Sequence, residues 1–194
     1  MPVDQRKTAL VLVDVQAGFD EREARGERRN NPRAVANMAR LLEAFRARKL
    51  PVFHIRHASQ SEGSLLRPEL PGFQPIEATR EIDGEPVLVK SVNSAFIGTD
   101  LETRLRDAGI ETLVVAGITT NHCVETTSRM AGNMGFDVRL VDDACYTFDR
   151  VGYRGGRESA QSIHDMTLSN LDGEFATIET TDTVLAALDM SAAA

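Results

Sequence analysis

The sequence predicts an α/β domain in three layers (α/β/α), doubly wound around a six-stranded parallel sheet. Short apolar, β-branched runs alternate along the chain with segments of helical periodicity. The runs are too short for helices and too uniformly apolar for strands with one wet face, so they read as strands buried on both sides. Strand and helix in alternation then imply parallel strands joined by crossover helices. No internal repeat, low-complexity tract or linker divides the chain, so residues 1–194 read as a single domain.

In chain order, the first strand is Thr8 to Val13. Val35, Met38, Leu42 and Phe45 share one helical face, with Asn31 placed as N-cap and Pro32 as first helical residue. Val52 to Ile55 and Val87 to Val89 are the next strands. Leu101, Leu105 and Ala108 form a second helical stripe, opened by Thr99 with Glu102 three residues on, a capping box. After the strand Thr112 to Val115, a third stripe runs through Val124, Thr127, Ala131 and Met134 and ends at Gly135. Val138 to Val141 is the fifth strand. A weaker helix is expected over about residues 156 to 170, a weak strand over Phe175 to Ile178, and a last helix after Thr181.

Two stretches lack periodicity. Glu21 to Arg33 interleaves glutamates with arginines and reads as a solvated loop, with recognition of an anionic ligand as the other reading. Ala58 to Pro86 holds four prolines and three glycines. Loops of that length are usually lids, binding loops or oligomer contacts, so specificity is expected there.

Composition narrows the function. With 42% hydrophobic and 26% charged residues, the chain is globular, and a fold of this length buries roughly 70% of its unfolded surface without needing a disulfide or structural metal. Two cysteines, Cys123 and Cys145, make no disulfide scaffold, and a reducing, cytoplasmic location is expected. The apolar start of the chain is brief and runs into Asp14, which fits neither a signal peptide nor a membrane span. A net charge of −7 argues against nucleic acid as partner. VDVQAGFDE has one glycine after the first strand, which removes a dinucleotide fingerprint, and no GxxxxGK[ST] loop is present.

In an open parallel sheet, ligands bind beyond the carboxyl ends of the strands. Asp14 follows the first strand, Lys90 the third, and Cys123 the fourth, in GITTNHCV. Acid, cation and thiol at one sheet edge are what a thiol nucleophile needs. At the start of a helix, Cys123 would gain from the macrodipole and free N–H groups; Lys90 would add positive charge, and Asp14 would accept the thiol proton and later activate water. The same amides would offer an oxyanion hole. Cys145, with no charged helix start beside it, reads as a structural thiol.

TALVLVDVQAGF, VLVKSVNSAFIGTDLETRL and TLVVAGITTNHCVETTSRMAGNMGFDVRLVDDAC together resemble the isochorismatase-like cysteine hydrolases, over about residues 6 to 180. That family includes nicotinamidases, N-carbamoylsarcosine amidohydrolases, ureidoacrylate and streptothricin hydrolases, and isochorismatases. The resemblance implies Asp14 as proton acceptor, Lys90 as electrostatic partner and Cys123 as nucleophile. It further implies a cis peptide between Ile118 and Thr119, with the Thr119 and Cys123 N–H groups as oxyanion hole. Gln16, Phe19, Ile118 and Tyr146 are the candidate substrate contacts, Phe148 a further pocket wall, and Asn93 and Ser94 the candidate supports of Lys90, with Phe96 read as core. It also implies a homo-oligomer, dimer or tetramer, for which Leu65, Leu66, Leu70 and Phe73 offer apolar contacts.

The departures matter as well. Asn121 is neutral where many relatives carry Asp. The nicotinamidase-like D-x-H metal site has no counterpart in HIRHASQSEGS, so no metal or other cofactor is expected. There His54 reads as a buried strand residue and His57 as a polar pocket or surface residue, while His122 and His164 lack ligand partners at recognisable spacing. The expected activity is hydrolysis of a C–N bond in a small amide, carbamoyl or ureido compound through a Cys123 thioester. The alternatives are an isochorismatase-type vinyl-ether hydrolase that does not need the thiol, and a non-catalytic binding or assembly protein on the same fold.

Overall fold

A computed structural model describes residues 7–192. Six strands form one parallel sheet: β1 (Thr8–Val13), β2 (Val52–His57), β3 (Val87–Lys90), β4 (Thr112–Ile118), β5 (Asp137–Tyr146) and, last in chain order, β8 (Thr177–Glu179). Their order is β3-β2-β1-β4-β5-β8. The chain winds outward from β1 through β2 to β3, then crosses back to β4 on the other side of β1 and winds outward again. The reversal between β1 and β4 opens a crevice above their carboxyl ends.

Alternation along the central strands divides the core into two layers. Ala9, Val11 and Val13 pack with Leu101 and Leu105 of α3 (Leu101–Asp107), Ala131 of α4 (Glu125–Asn133) and Leu168 of α5 (Ala160–Leu171). Leu10 and Leu12 face the other way, onto Met38, Leu41 and Phe45 of α2 (Ala34–Ala47) and Leu188 of α6 (Thr181–Ala192). Both layers are closed to water, which is why the strands read as continuous apolar runs. A small antiparallel hairpin, β6 (Arg150–Val151) and β7 (Arg157–Glu158), stands apart from the sheet.

Several local expectations are corrected. Asn31 does not cap α2. Its φ is +47°, and its side-chain amide donates to the carbonyls of Asp142 and Cys145 at 3.0 and 2.7 Å, tying the chain to β5. The helix opens at Ala34 instead. The Thr99 hydroxyl accepts from Leu101 N–H at 3.3 Å, but Glu102 lies near Arg106 rather than completing a capping box. The stretch expected as a loop from Glu21 begins inside a helix, α1 (Gly18–Ala24). Its interleaved charges pair with one another, Arg22 with Glu27 and Arg29 with Glu23, both at 2.5 Å. Beyond Ala24 the segment is the solvated loop the sequence predicts, with residues 24–28 exposed.

The long Ala58 to Pro86 segment is strapped to the chain just after β1. Ala17 N–H donates to Gln74 at 2.8 Å and Ile76 N–H to Val15 at 3.0 Å. Leu65, Leu66, Leu70 and Phe73 are half-buried. Gly72 permits the close packing, since a Cβ there would sit 2.3 Å from the Leu65 carbonyl oxygen. Among the described residues no helix is long and apolar enough to cross a membrane.

Candidate active site

β1 and β4 approach so closely at their carboxyl ends that only glycine fits. Gly117 pairs with Val13, has φ +147°, and would place a Cβ 2.1 Å from the Val13 carbonyl oxygen. The next residue of β1 is Asp14, at φ +53°, whose N–H donates to the Ile55 carbonyl at 2.9 Å. Beyond β4, the Ile118–Thr119 peptide is cis, as the resemblance implied. The chain then enters a π turn, Thr120–Val124, that leads directly into α4.

Lys90 ends β3, two strands from Asp14. Its side chain is wholly buried and crosses the end of β2 to place Nζ 2.7 Å from Asp14 Oδ2. His57, the last residue of β2, pairs in register with Lys90, so its Nδ1 comes within 3.3 Å of the same Nζ. The ligating atoms of Asp14, His57 and Cys123 all lie within 4.8 Å of one another. The three residues expected from sequence therefore converge, with His57 as a fourth member. Only the strand order reveals His57, because its nearness to Lys90 is a matter of sheet register.

Burial governs the charges. It lifts the Asp14 carboxyl above its ordinary value, against the opposing pull of Lys90, the Cys123 thiol and His57. Asp14 Oδ1 is buried with no hydrogen-bond partner among the described residues. Burial, together with the Asp14 charge, pushes the Cys123 thiol up to about 12, outweighing Lys90. Cys123 does stand at the start of a helix, in the turn that runs into α4, but burial and the carboxylate oppose ionisation there. Cys123 sits inside the π turn against a carboxylate, and the resting group is the thiol. His57 is pushed down by burial and by Lys90, so its ring is neutral near pH 7.

Asp14, His57 and Cys123 are a conceivable donor set for a metal ion, yet they fit one poorly. The Lys90 ammonium already lies within hydrogen-bond distance of both Asp14 and His57, where a cation would meet like charge.

The remaining candidates sort differently. Gln16 is completely buried, and its amide is spent on the scaffold: it donates to the carbonyls of His57 and Phe73 at 3.2 and 3.0 Å and accepts from His57 N–H at 2.8 Å. These bonds tie Gln16 to the backbone of His57 and Phe73. Ile118 and Tyr146 lie at 0% exposure in the core layer under α2 and α6. Phe19 stacks on Phe148 at 6.2 Å and lines a cavity of 290 Å³ with Arg22, Leu65 and Leu66. A second cavity, of 240 Å³, adjoins the turn at Thr119 and His122 and is walled by Phe148, Thr147, Arg22 and Arg150. Asn121 accepts from the Thr147 hydroxyl at 2.5 Å. Ser94 turns towards α4 rather than Lys90, and Phe96 is core, as expected.

His54 is buried, as expected, bound to Glu85 at 2.8 Å, and Cys145 is buried in the core as a free thiol.

A doubly wound sheet carrying a buried lysine–carboxylate pair beside a cysteine at its switch point is the frame of a hydrolytic enzyme. The chain belongs to the isochorismatase family: the Isochorismatase domain model matches residues 8–183. It is 42% identical over 181 residues to the isochorismatase family protein YrdC of Bacillus subtilis, covering 93% of this chain and 96% of the relative. Nicotinamidase 3 of Arabidopsis thaliana is 29% identical, over 87% of this chain and 82% of its own. An isochorismatase-family structure from Chromobacterium violaceum superposes with a TM-score of 0.92 at 44% identity, covering 98% and 97% of the two chains. A cysteine hydrolase from Pseudomonas syringae does so at 0.89 and 27%, covering 98% and 96%.

Proposed function

We propose that this family member is a cysteine amidohydrolase that cleaves the C–N bond of a small amide, carbamoyl or ureido compound through a thioester on Cys123. The observation that carries the reading is the convergence of a half-buried thiol with a buried carboxylate that a lysine holds at 2.7 Å. The likeness to a nicotinamidase and to a cysteine hydrolase supports it.

Because the thiol is protonated at rest, its proton moves to Asp14 as Sγ attacks the carbonyl carbon. Lys90 keeps Asp14 ionised until that moment and fixes its orientation. The N–H groups of Thr119 and Cys123 receive the developing oxyanion. The tetrahedral intermediate collapses as the C–N bond breaks, and the amine or ammonia leaves with the proton held by Asp14. Asp14, again a carboxylate, takes a proton from water as the hydroxide attacks the thioester. The acid departs and the thiol recovers its proton.

The test is Cys123→Ala against wild type on a panel of amides, ureas and carbamoyl compounds, with released ammonia or amine measured. Wild type is expected to turn over at least one of them and the variant none, with an acyl group trapped by mass spectrometry on Cys123 and not on Cys145. Retained turnover in the variant would show that the thiol is dispensable, as for a vinyl-ether hydrolase. No turnover by wild type on any of the panel would favour a non-catalytic role.

A further inference from the structure

The mechanism leaves one buried polar chain without a task. Thr120 Oγ1 lies 2.8 Å from His164 Nδ1, and His164 Nε2 lies 2.7 Å from Asp142 Oδ1. Thr120 and His164 are both at 0% exposure, and Asp142 is the end that meets solvent. A carboxylate only accepts, so Nε2 carries the hydrogen; in the neutral ring, Nδ1 is then a lone pair and the Thr120 hydroxyl donates to it. Asn31 Nδ2, 3.4 Å from Nε2, does not compete, because both its hydrogens go to the carbonyls of Asp142 and Cys145.

The three residues come from three elements. Thr120 opens the turn that carries Cys123, Asp142 lies on β5, and His164 on α5. Burying a hydroxyl and an imidazole costs free energy that apolar residues at the same places would avoid. A fully bonded chain has a directional consequence that apolar packing lacks: it fixes one orientation of the group at its end. That group is on the backbone between Thr119 and Cys123, the two residues whose N–H groups and thiol must face one point.

Resting on the cysteine-hydrolase reading, we propose that His164 is a positioning residue that acts through Thr120 to hold the nucleophile turn against Asp14, with Asp142 orienting its ring.

Two readouts test this, turnover on a working amide and alkylation of Cys123 by iodoacetamide at about pH 9, followed by mass spectrometry. Thr120→Val removes the hydroxyl while keeping the shape. It is expected to lower kcat by about tenfold or more with KM within about twofold, since small misplacements of a reacting group have large costs. Alkylation should rise about tenfold, because a turn that drifts from Asp14 and from burial releases the thiol towards its ordinary ionisation. Because unfolding would also slow turnover and expose the thiol, both rates are read where thermal melting shows variant and wild type equally folded, and Cys145, buried in the core, must stay unalkylated. Thr120→Ser, which keeps the hydroxyl, should restore both.

At position 164, asparagine keeps an acceptor where Nδ1 stood, whereas glutamine keeps only the Asp142 side. His164→Asn is therefore expected to track wild type and His164→Gln to track Thr120→Val, a comparison that holds even if Thr120→Val does not fold. Wild-type turnover and alkylation in both Thr120→Val and His164→Gln would overturn the proposal, as would equal impairment of the two His164 variants. If wild type hydrolyses no amide, the functional reading fails, and the alkylation rates alone decide this inference.

Discussion

Lys90 Nζ lies 2.7 Å from Asp14 Oδ2 with both side chains almost wholly removed from solvent, across the end of the strand that separates them. Such a pair does not persist for stability alone, because the desolvation cost offsets most of the Coulombic gain. What it gives this protein is a carboxylate of fixed orientation beside a thiol.

Breaking the pair should therefore be costly in two ways. Lys90→Met leaves the Asp14 carboxyl buried without its partner, which it relieves by taking a proton, so a destabilisation below the roughly 3–5 kcal/mol of a bare buried charge is expected in urea unfolding. Asp14 would then hold its proton at neutral pH, and kcat should fall by at least about a hundredfold through loss of the base. Unchanged turnover in a folded Lys90→Met variant would remove Lys90 from the reaction.

The acid limb of the rate profile should belong to Asp14. Burial raises this carboxyl above 3.8, and it must be ionised to accept the thiol proton, so kcat/KM rises with pH through that raised value. No alkaline fall is expected from Cys123 near neutrality, because its thiol ionises only at about 12. The linkage has the opposite sign for stability. Between 3.8 and the raised value the folded state holds a proton that the unfolded state has lost, so Asp14 makes stability fall as pH rises through that window. A kcat/KM profile flat down to pH 3.8 would contradict the assignment.

Gln16→Leu should separate positioning from chemistry. The change strands His57 N–H and the carbonyls of His57 and Phe73, with a destabilisation of about 2–3 kcal/mol expected. Melting temperature and kcat should fall together, since β2 and the segment after Leu70 lose their common anchor. A variant as stable and active as wild type would show that the amide is not needed.

Glu85 is expected to contribute to the acid sensitivity of the fold. Burial alone would raise its carboxyl, but Arg46, the Ile82 N–H and His54 outweigh burial and bring it down to about 2. Its contribution is complete above 4.5 and is lost as pH falls towards 2. Glu85→Gln should lower stability near pH 7 by about 2–3 kcal/mol and flatten the acid dependence of the melting temperature. An unaltered dependence would place the acid sensitivity elsewhere.

The layers, the parallel sheet and the positions of Asp14, Lys90 and Cys123 were legible in the chain because they follow from local rules. An apolar run needs two covered faces, and a reactive residue just after a strand must lie at the sheet's ligand-binding edge. What stayed hidden was set by neighbours distant in sequence. Asn31 looked like a cap because a cap is a local solution, whereas its amide is bound by β5, 111 and 114 residues away. Phe19, Ile118 and Tyr146 shared proximity to the site in sequence, but only packing decided that Phe19 borders a cavity while the other two are core. Spacing marked Cys123 as the nucleophile; its state, a thiol near 12 and not a thiolate, depended on how deeply the turn is buried and how near Asp14 stands. His57 and His164 likewise had no signature of their own. Strand register brings one to Lys90 and helix packing brings the other to Thr120, because hydrogen bonds and charges act over a few ångströms of space and are blind to distance along the chain.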